Sequence, residues 1–176
     1  LRYGENYTHS VIGDDGSIIL IGKFTSTTEQ TGYARLLKLD NSGVPLNNFG
    51  DNGIVDFKIP KAIQSKLFPE FAYRISEAVL LPTGEIAIFG YVPVTGSYPG
   101  DDRTNKYLTV VKPDGSVVSN RSYGTGPGSL WFATTLGDSG DLLIGGENQI
   151  TAAIIDSYGI PSRKFSLYTS SYTISD

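Results

Sequence analysis

Cysteine and methionine are both missing from the 176 residues, and histidine occurs once, as His9. The first absence removes disulfides, thiol nucleophiles and Cys-ligated zinc or iron–sulfur sites. With one histidine, a His-cluster metal centre is excluded, and any imidazole general base would have to be His9 itself. The missing methionine, initiator included, points to a processed chain or an excised segment. Charge is also sparse: charged residues are 18% of the chain, with 14 Lys and Arg against 18 Asp and Glu, a formal net charge of −4. No basic block exists that could track a phosphate backbone or an anionic membrane, so nucleic-acid and membrane-surface partners are not expected. No apolar run approaches the roughly 18 residues of a membrane-spanning helix, and the residues after Leu1 and Arg2 contain no signal-peptide apolar region.

What the chain does contain is turn and strand chemistry. Glycine supplies 21 residues, well above the usual roughly 7%, and Tyr, Thr, Ser, Ile and Val are abundant where the helix formers Ala, Glu and Lys are few. Three segments share one frame: Gly16-Ser-Ile-Ile-Leu-Ile-Gly22, Gly84-Glu-Ile-Ala-Ile-Phe-Gly90 and Gly140-Asp-Leu-Leu-Ile-Gly-Gly146. Turn formers precede each, as Asp14-Asp15, Pro82-Thr83 and Asp138-Ser139, so each reads as a hairpin whose glycine takes the positive φ. A second turn glycine follows in each copy, at Gly43, Gly115 and Gly159. Further strands are expected upstream, at Tyr7–Ile12, Ile75–Leu81 and Trp131–Leu136. Others are expected after the second turn, at Val44–Phe49, Val117–Tyr123 and Ile160–Leu167.

Four short antiparallel strands per copy is the strand count of a propeller blade. The expected fold is therefore all-β, a β-propeller-type array of four-stranded antiparallel blades, with three blades visible as a segment of a larger propeller. The expected division is 1–4 as the tail of a preceding repeat, 5–59 as blade one, 60–72 as a connecting loop, 73–129 as blade two, 130–168 as blade three and 169–176 as the start of a further repeat. The ends carry this reading: Arg2-Tyr3-Gly4 is similar to Arg121-Ser-Tyr-Gly124, and Tyr172-Thr-Ile-Ser175 to Tyr7-Thr-His-Ser10 and Tyr73-Arg-Ile-Ser76.

The string from Ala34 to Asp56, with Asp40-Asn-Ser-Gly43, Leu46-Asn-Asn-Phe-Gly50 and Gly53-Ile-Val55, resembles the delta-60 repeat of bacterial surface and secreted proteins. The second copy keeps Pro113-Asp-Gly115 and Tyr123-Gly124 but lacks the Gly-Ile-Val part, and the third keeps only strands and turns. The resemblance implies a propeller-like array, extracellular or at the cell surface, without known catalysis.

Tight turns fall at one end of such blades. The connections of changing length fall at the other, at Thr25–Gly32, Pro60–Ala72, Pro93–Asn105 and Thr125–Ser129, and variable loops on a rigid scaffold are where function is usually carried. The expected function is a non-catalytic extracellular binding or adhesion module that meets a protein or glycan on that long-loop face, with neighbouring repeats of the same or another chain as further partners. The candidate residues are Tyr98, Asp101, Asp102 and Arg103 in one loop, with Glu29, Gln30, Phe68 and Glu70 in adjoining ones. Two other classes stand beside it: a propeller-fold, glycan-active hydrolase or lyase, and a structural spacer in a large adhesin or filament.

No catalytic residue and no resident metal is expected. Gly137-Asp-Ser-Gly140 looks like a serine-protease nucleophile motif, yet the same register holds turns in the other copies, which accounts for Ser139 without His9. Calcium is the lesser alternative at the oxygen-rich Asp101–Asp102 loop and, less so, at Asn47–Gly53, since neither has the ligand spacing of an EF-hand loop. The apolar spacing of Ala62, Ile63, Leu67, Phe68 and Phe71 predicts one or two helical turns between blades.

Overall fold

The computed structural model describes residues 5–26, 31–58, 74–93, 103–127, 131–136, 141–146, 150–155 and 161–167. These form twelve strands: β1 Glu5–Ile12, β2 Ile18–Ser26, β3 Thr31–Leu39, β4 Ile54–Lys58, β5 Arg74–Leu80, β6 Ile86–Pro93, β7 Arg103–Val111, β8 Val117–Pro127, β9 Trp131–Leu136, β10 Asp141–Gly146, β11 Ile150–Ile155 and β12 Pro161–Leu167. They make three open four-stranded sheets, each with its strands in chain order and every pairing antiparallel. Among the described residues there is no helix. The helical turns expected within 61–71 lie outside them.

The four described hairpin turns share one wiring. Gly16 N–H donates to the Gly13 carbonyl at 2.9 Å, Gly43 to Asp40 at 3.0 Å, Gly84 to Leu81 at 2.8 Å and Gly115 to Lys112 at 2.9 Å. The return bonds also match, as in Gly13 N–H to Ser17 and Lys112 N–H to Ser116. Each glycine is left-handed, with φ of 75°, 82°, 81° and 90° in that order. This is the three-residue hairpin loop, a tight turn closed by a residue in the left-handed region. The aspartates add side-chain bonds: Asp15 Oδ1 accepts from Ser17 N–H at 2.9 Å, Asp40 Oδ1 from Ser42 N–H at 2.8 Å and Asp114 Oδ1 from Ser116 N–H at 2.8 Å.

The second glycine of the frame has a different cause. Gly22 pairs with Tyr7 and Gly90 with Ile75, and in both first strands the register shifts at the next step, between Tyr7 and His9 and between Ile75 and Glu77. A β-bulge crowds the backbone opposite it. A Cβ on Gly22 would overlap the Asn6 carbonyl oxygen and lie 2.6 Å from Tyr7 Cα, so the side chain is excluded there.

This pairing corrects the sequence alignment of the strand openings. Tyr7 is equivalent to Ile75, and not to Tyr73, because each pairs with the frame's second glycine. A slip of two residues keeps the same side chains on the same face, so sequence pattern alone does not reveal it.

The last strand of the first sheet also lies elsewhere than expected. Val44–Phe49 is not a strand: after an isolated bridge between Leu39 and Pro45 the chain makes a compact excursion, and β4 is Ile54–Lys58. Three of its residues are left-handed, Gly50 at φ 55°, Asn52 at 53° and Gly53 at 88°, a geometry no pleated strand holds. Lys38 in β3 anchors the excursion, donating its N–H to Gly53 and accepting from Leu46 N–H, while its ammonium lies 5.8 Å from the centre of the Phe49 ring. Phe49 itself is 1% exposed.

One apolar core joins the first and second sheets: Ile19, Ile21, Ala34, Leu36, Phe49, Val55 and Phe57 pack with Ile86, Ile88, Tyr107 and Val111. By the two-residue period of a strand, Ala87, Phe89, Leu108 and Val110 belong to the opposite face of the second sheet, and they too are fully buried. β5 and β6 also meet β9 of the third sheet. The middle sheet is thus covered on both faces, which is why Ile86–Phe89 of β6 reads as a continuous apolar run and not as an alternating one. The most extensive strand-to-strand approaches between sheets are those of their first strands, β1 with β5 and β5 with β9. Within the first sheet, Arg35 on the other face of β3 is buried against Asp56 directly opposite on β4, with Nε to Oδ1 at 2.7 Å and a second N–H to Oδ2 at 2.6 Å.

Candidate functional site

Antiparallel order fixes two ends for each sheet. The hairpin turns at 13–17, 40–43, 81–85 and 112–116 lie at one end, and the β2–β3, β4–β5 and β6–β7 connections lie at the other. A pocket of about 230 Å³ opens at this second end, between β1 and β5, lined by Asn6, Thr8, Lys23, Arg74 and Ile75.

Each lining residue is placed by a backbone feature already described. Asn6 and Lys23 face each other across β1 and β2, and Arg74 is the first residue of β5. Thr8 is the residue left unpaired by the β1 bulge, which re-aims it relative to a regular strand. Counted from the glycine opposite the bulge, Asn6 and Arg74 occupy the same position in their two sheets. Packing β1 beside β5 therefore brings the same site of two copies together, with different side chains. Asn6, Thr8 and Arg74 are exposed, Lys23 and Ile75 half-buried.

Both charges on the described lining are positive. Thr8 Oγ1 and His9 Nδ1 share a hydrogen bond at 2.9 Å. Neither Lys23 nor Arg74 has an ion-pair partner among the described residues, in contrast to Arg35 with Asp56 at 2.6 Å and Lys38 with Asp15 at 3.6 Å. Chemically, the pocket offers two cations, an amide, a hydroxyl and one apolar contact.

Of the residues singled out from sequence, Tyr98, Asp101, Asp102, Glu29, Gln30, Phe68 and Glu70 lie outside the described residues. So does Ser139. Arg103 falls at the start of β7, its backbone paired with Pro127, where a loop position was expected. By chain order, the connection carrying Glu29 and Gln30 follows β2, which ends at Ser26, and the one carrying Phe68 and Glu70 precedes β5, which begins at Arg74. The pocket residues were missed because they belong to strands. The signal that could have found them is positional: Lys23 follows the frame glycine Gly22, and Asn6 and Arg74 each lie one residue before the partner of such a glycine.

Among the described residues no group of three or more His, Asp or Glu could hold a metal ion. In the Asn47–Gly53 segment, Asp51 Oδ1 accepts from Asn52 Nδ2 at 2.8 Å, and backbone bonds from Phe49 to Leu46 and from Gly53 to Phe49 close the turn. Its polar side chains shape the excursion. No described helix is long and apolar enough to cross a membrane.

No protein-family model matches the chain, and no curated protein matches it.

Proposed function

We propose that the three sheets are blades of a propeller-type array and that the chain is a non-catalytic binding module of a bacterial surface or secreted protein, taking its ligand at the long-loop end. The carrying observation is the pocket between β1 and β5, which opens at that end and is built from equivalent positions of two sheets. The blade reading is supported by the four-stranded order of each sheet, by contact between sheets through their first strands and by burial of the middle sheet on both faces. The delta-60 relationship rests on Phe49-Gly50 and Gly53-Ile54-Val55, residues that here build the excursion against the neighbouring sheet. Extracellular placement follows from that relationship.

The test is a glycan and peptide array probed with the intact chain and with two sets of variants at opposite ends. Alanine at Tyr98, Asp101 and Asp102, or glutamine at Lys23 and Arg74, should abolish or weaken capture, whereas Asn41→Ala and Thr83→Ala at the hairpin end should not. Capture lost only in the hairpin-end variants overturns the reading. Chromatography of any captured glycan should recover it intact, and cleaved product would assign the chain to the hydrolase or lyase class instead.

A further inference from the structure

We infer that the pocket between β1 and β5 is a subsite for a carboxylate-bearing sugar, a uronate residue of an acidic glycan; this rests on the reading of the long-loop end as the binding end. The chain as a whole carries a net charge of −4, so a carboxylate is not drawn to it by bulk electrostatics. The pocket inverts that sign locally. Lys23 comes from the first sheet and Arg74 from the second, they line one pocket, and its described lining holds no carboxylate. Two cations on one pocket repel each other, and an anion between them relieves that repulsion.

The donors select the shape of the anion. A guanidinium presents a planar fork that matches a carboxylate through two parallel N–H···O bonds, and an ammonium adds a compact third contact. The remaining lining suits the rest of a sugar ring. The Asn6 amide can donate and accept, and the Thr8 hydroxyl, already joined to His9 Nδ1 at 2.9 Å, keeps further bonding capacity for ring hydroxyls. Ile75 offers an apolar surface to the C–H face of the ring.

At about 230 Å³ the pocket has room for one sugar-sized unit of a longer chain. An acidic peptide would present its carboxylate on a flexible stem and leave Asn6, Thr8 and Ile75 without a matched surface.

The experiment titrates the intact chain with trigalacturonate, with its methyl ester and with oligoglutamate, reading affinity by calorimetry and location by backbone amide shifts. Trigalacturonate should bind with an affinity that falls as salt is raised, shifting amides at 6–8, 22–24 and 74–76. The methyl ester, with the same sugars and no charge, should bind at least about tenfold more weakly, and Lys23→Gln and Arg74→Gln should each cost about tenfold. Lys23 and Arg74 make no described side-chain bond, so both variants should keep the wild-type amide spectrum elsewhere. Equal binding of acid and ester, or acid binding unchanged in the double variant, overturns the inference while shifts at the loop end would leave the binding-end reading standing. Oligoglutamate binding as well as trigalacturonate overturns the sugar assignment. Shifts confined to 13–17, 40–44 and 112–116, or none with any probe, overturn both.

Discussion

The Gly50 N–H donates to the Asp114 carbonyl oxygen at 2.9 Å, tying the excursion of the first sheet to a hairpin turn of the second. The glycine that closes that turn is part of the same seam: a Cβ on Gly115 would lie 2.6 Å from Gly50 N and 2.7 Å from Val55 Cγ2. Two glycine motifs from different sheets thus meet backbone to backbone, which a side chain at Gly115 would prevent.

That seam makes a matched comparison available. Gly43 and Gly115 have the same turn wiring and similar φ, 82° and 90°, but nothing lies within 4 Å of a Cβ at Gly43. Gly43→Ala should cost only the left-handed backbone penalty, about 1–2 kcal/mol. Gly115→Ala should cost the same plus roughly 1–3 kcal/mol for the overlap with Gly50 and Val55. Urea midpoints of the two variants check this, and equal losses would show that the seam adds nothing to stability.

Gly22→Ala tests the bulge. Its backbone needs no positive φ, so the whole penalty arises from collision with the Asn6 carbonyl and Tyr7 Cα. Because backbone cannot rotate away as a flexible side chain does, a loss of about 3 kcal/mol is expected, at the upper end of overpacking costs. Amide shifts should move at Asn6 and Thr8, since the variant pushes on the strand that lines the pocket. A stable variant with an unchanged spectrum would refute the close approach.

Phe49 separates the excursion's packing from its turn geometry. The ring is 1% exposed within the core shared by the first two sheets, so Phe49→Ala should cost about 3–5 kcal/mol. Phe49→Leu, which keeps most of the volume, should lose much less. Thermal unfolding followed by circular dichroism distinguishes them, and similar losses for both would show that the shape of the ring and its cation contact with Lys38 matter more than volume.

Acid sensitivity should involve Asp114. The Ser116 backbone N–H, then its hydroxyl at 2.7 Å, hold the Asp114 carboxyl below the usual aspartate range. A pKa lowered by folding means this carboxylate contributes stability above its unfolded value of roughly 3.9, and that contribution is lost as pH falls through the lower folded value. Asp114→Asn keeps an oxygen acceptor but cannot titrate. It should be less stable than wild type at pH 7 and close to it at pH 2.5, by denaturant midpoints at both pH values. A gap that widens in acid would contradict the assignment.

The hairpins were legible because their physics is local. Asp15-Gly16, Thr83-Gly84 and Asp114-Gly115 carry their turn preference within three or four residues, and the apolar runs after Gly16 and Gly84 become β2 and β6. The Val44–Phe49 strand failed for a related reason. Its apolar residues fit a strand, but Gly50, Asn52 and Gly53 turn the chain back, and their left-handed geometry is selected by contact with Lys38 and Asp114. Period-two pattern also could not distinguish Tyr73 from Ile75 as the equivalent of Tyr7, since both choices keep the same face.

The amino-acid order by itself determined the all-β class, the position of each described hairpin turn and the existence of glycine-punctuated copies, because turn glycines and β-branched runs act over a few residues. Tertiary structure decided the rest: where each first strand bulges, that Gly22 has no room for a side chain, and that Lys23 and Arg74, far apart in the chain, line one pocket. Those outcomes depend on which sheet packs beside which, a contact set by buried area and backbone approach across distant residues.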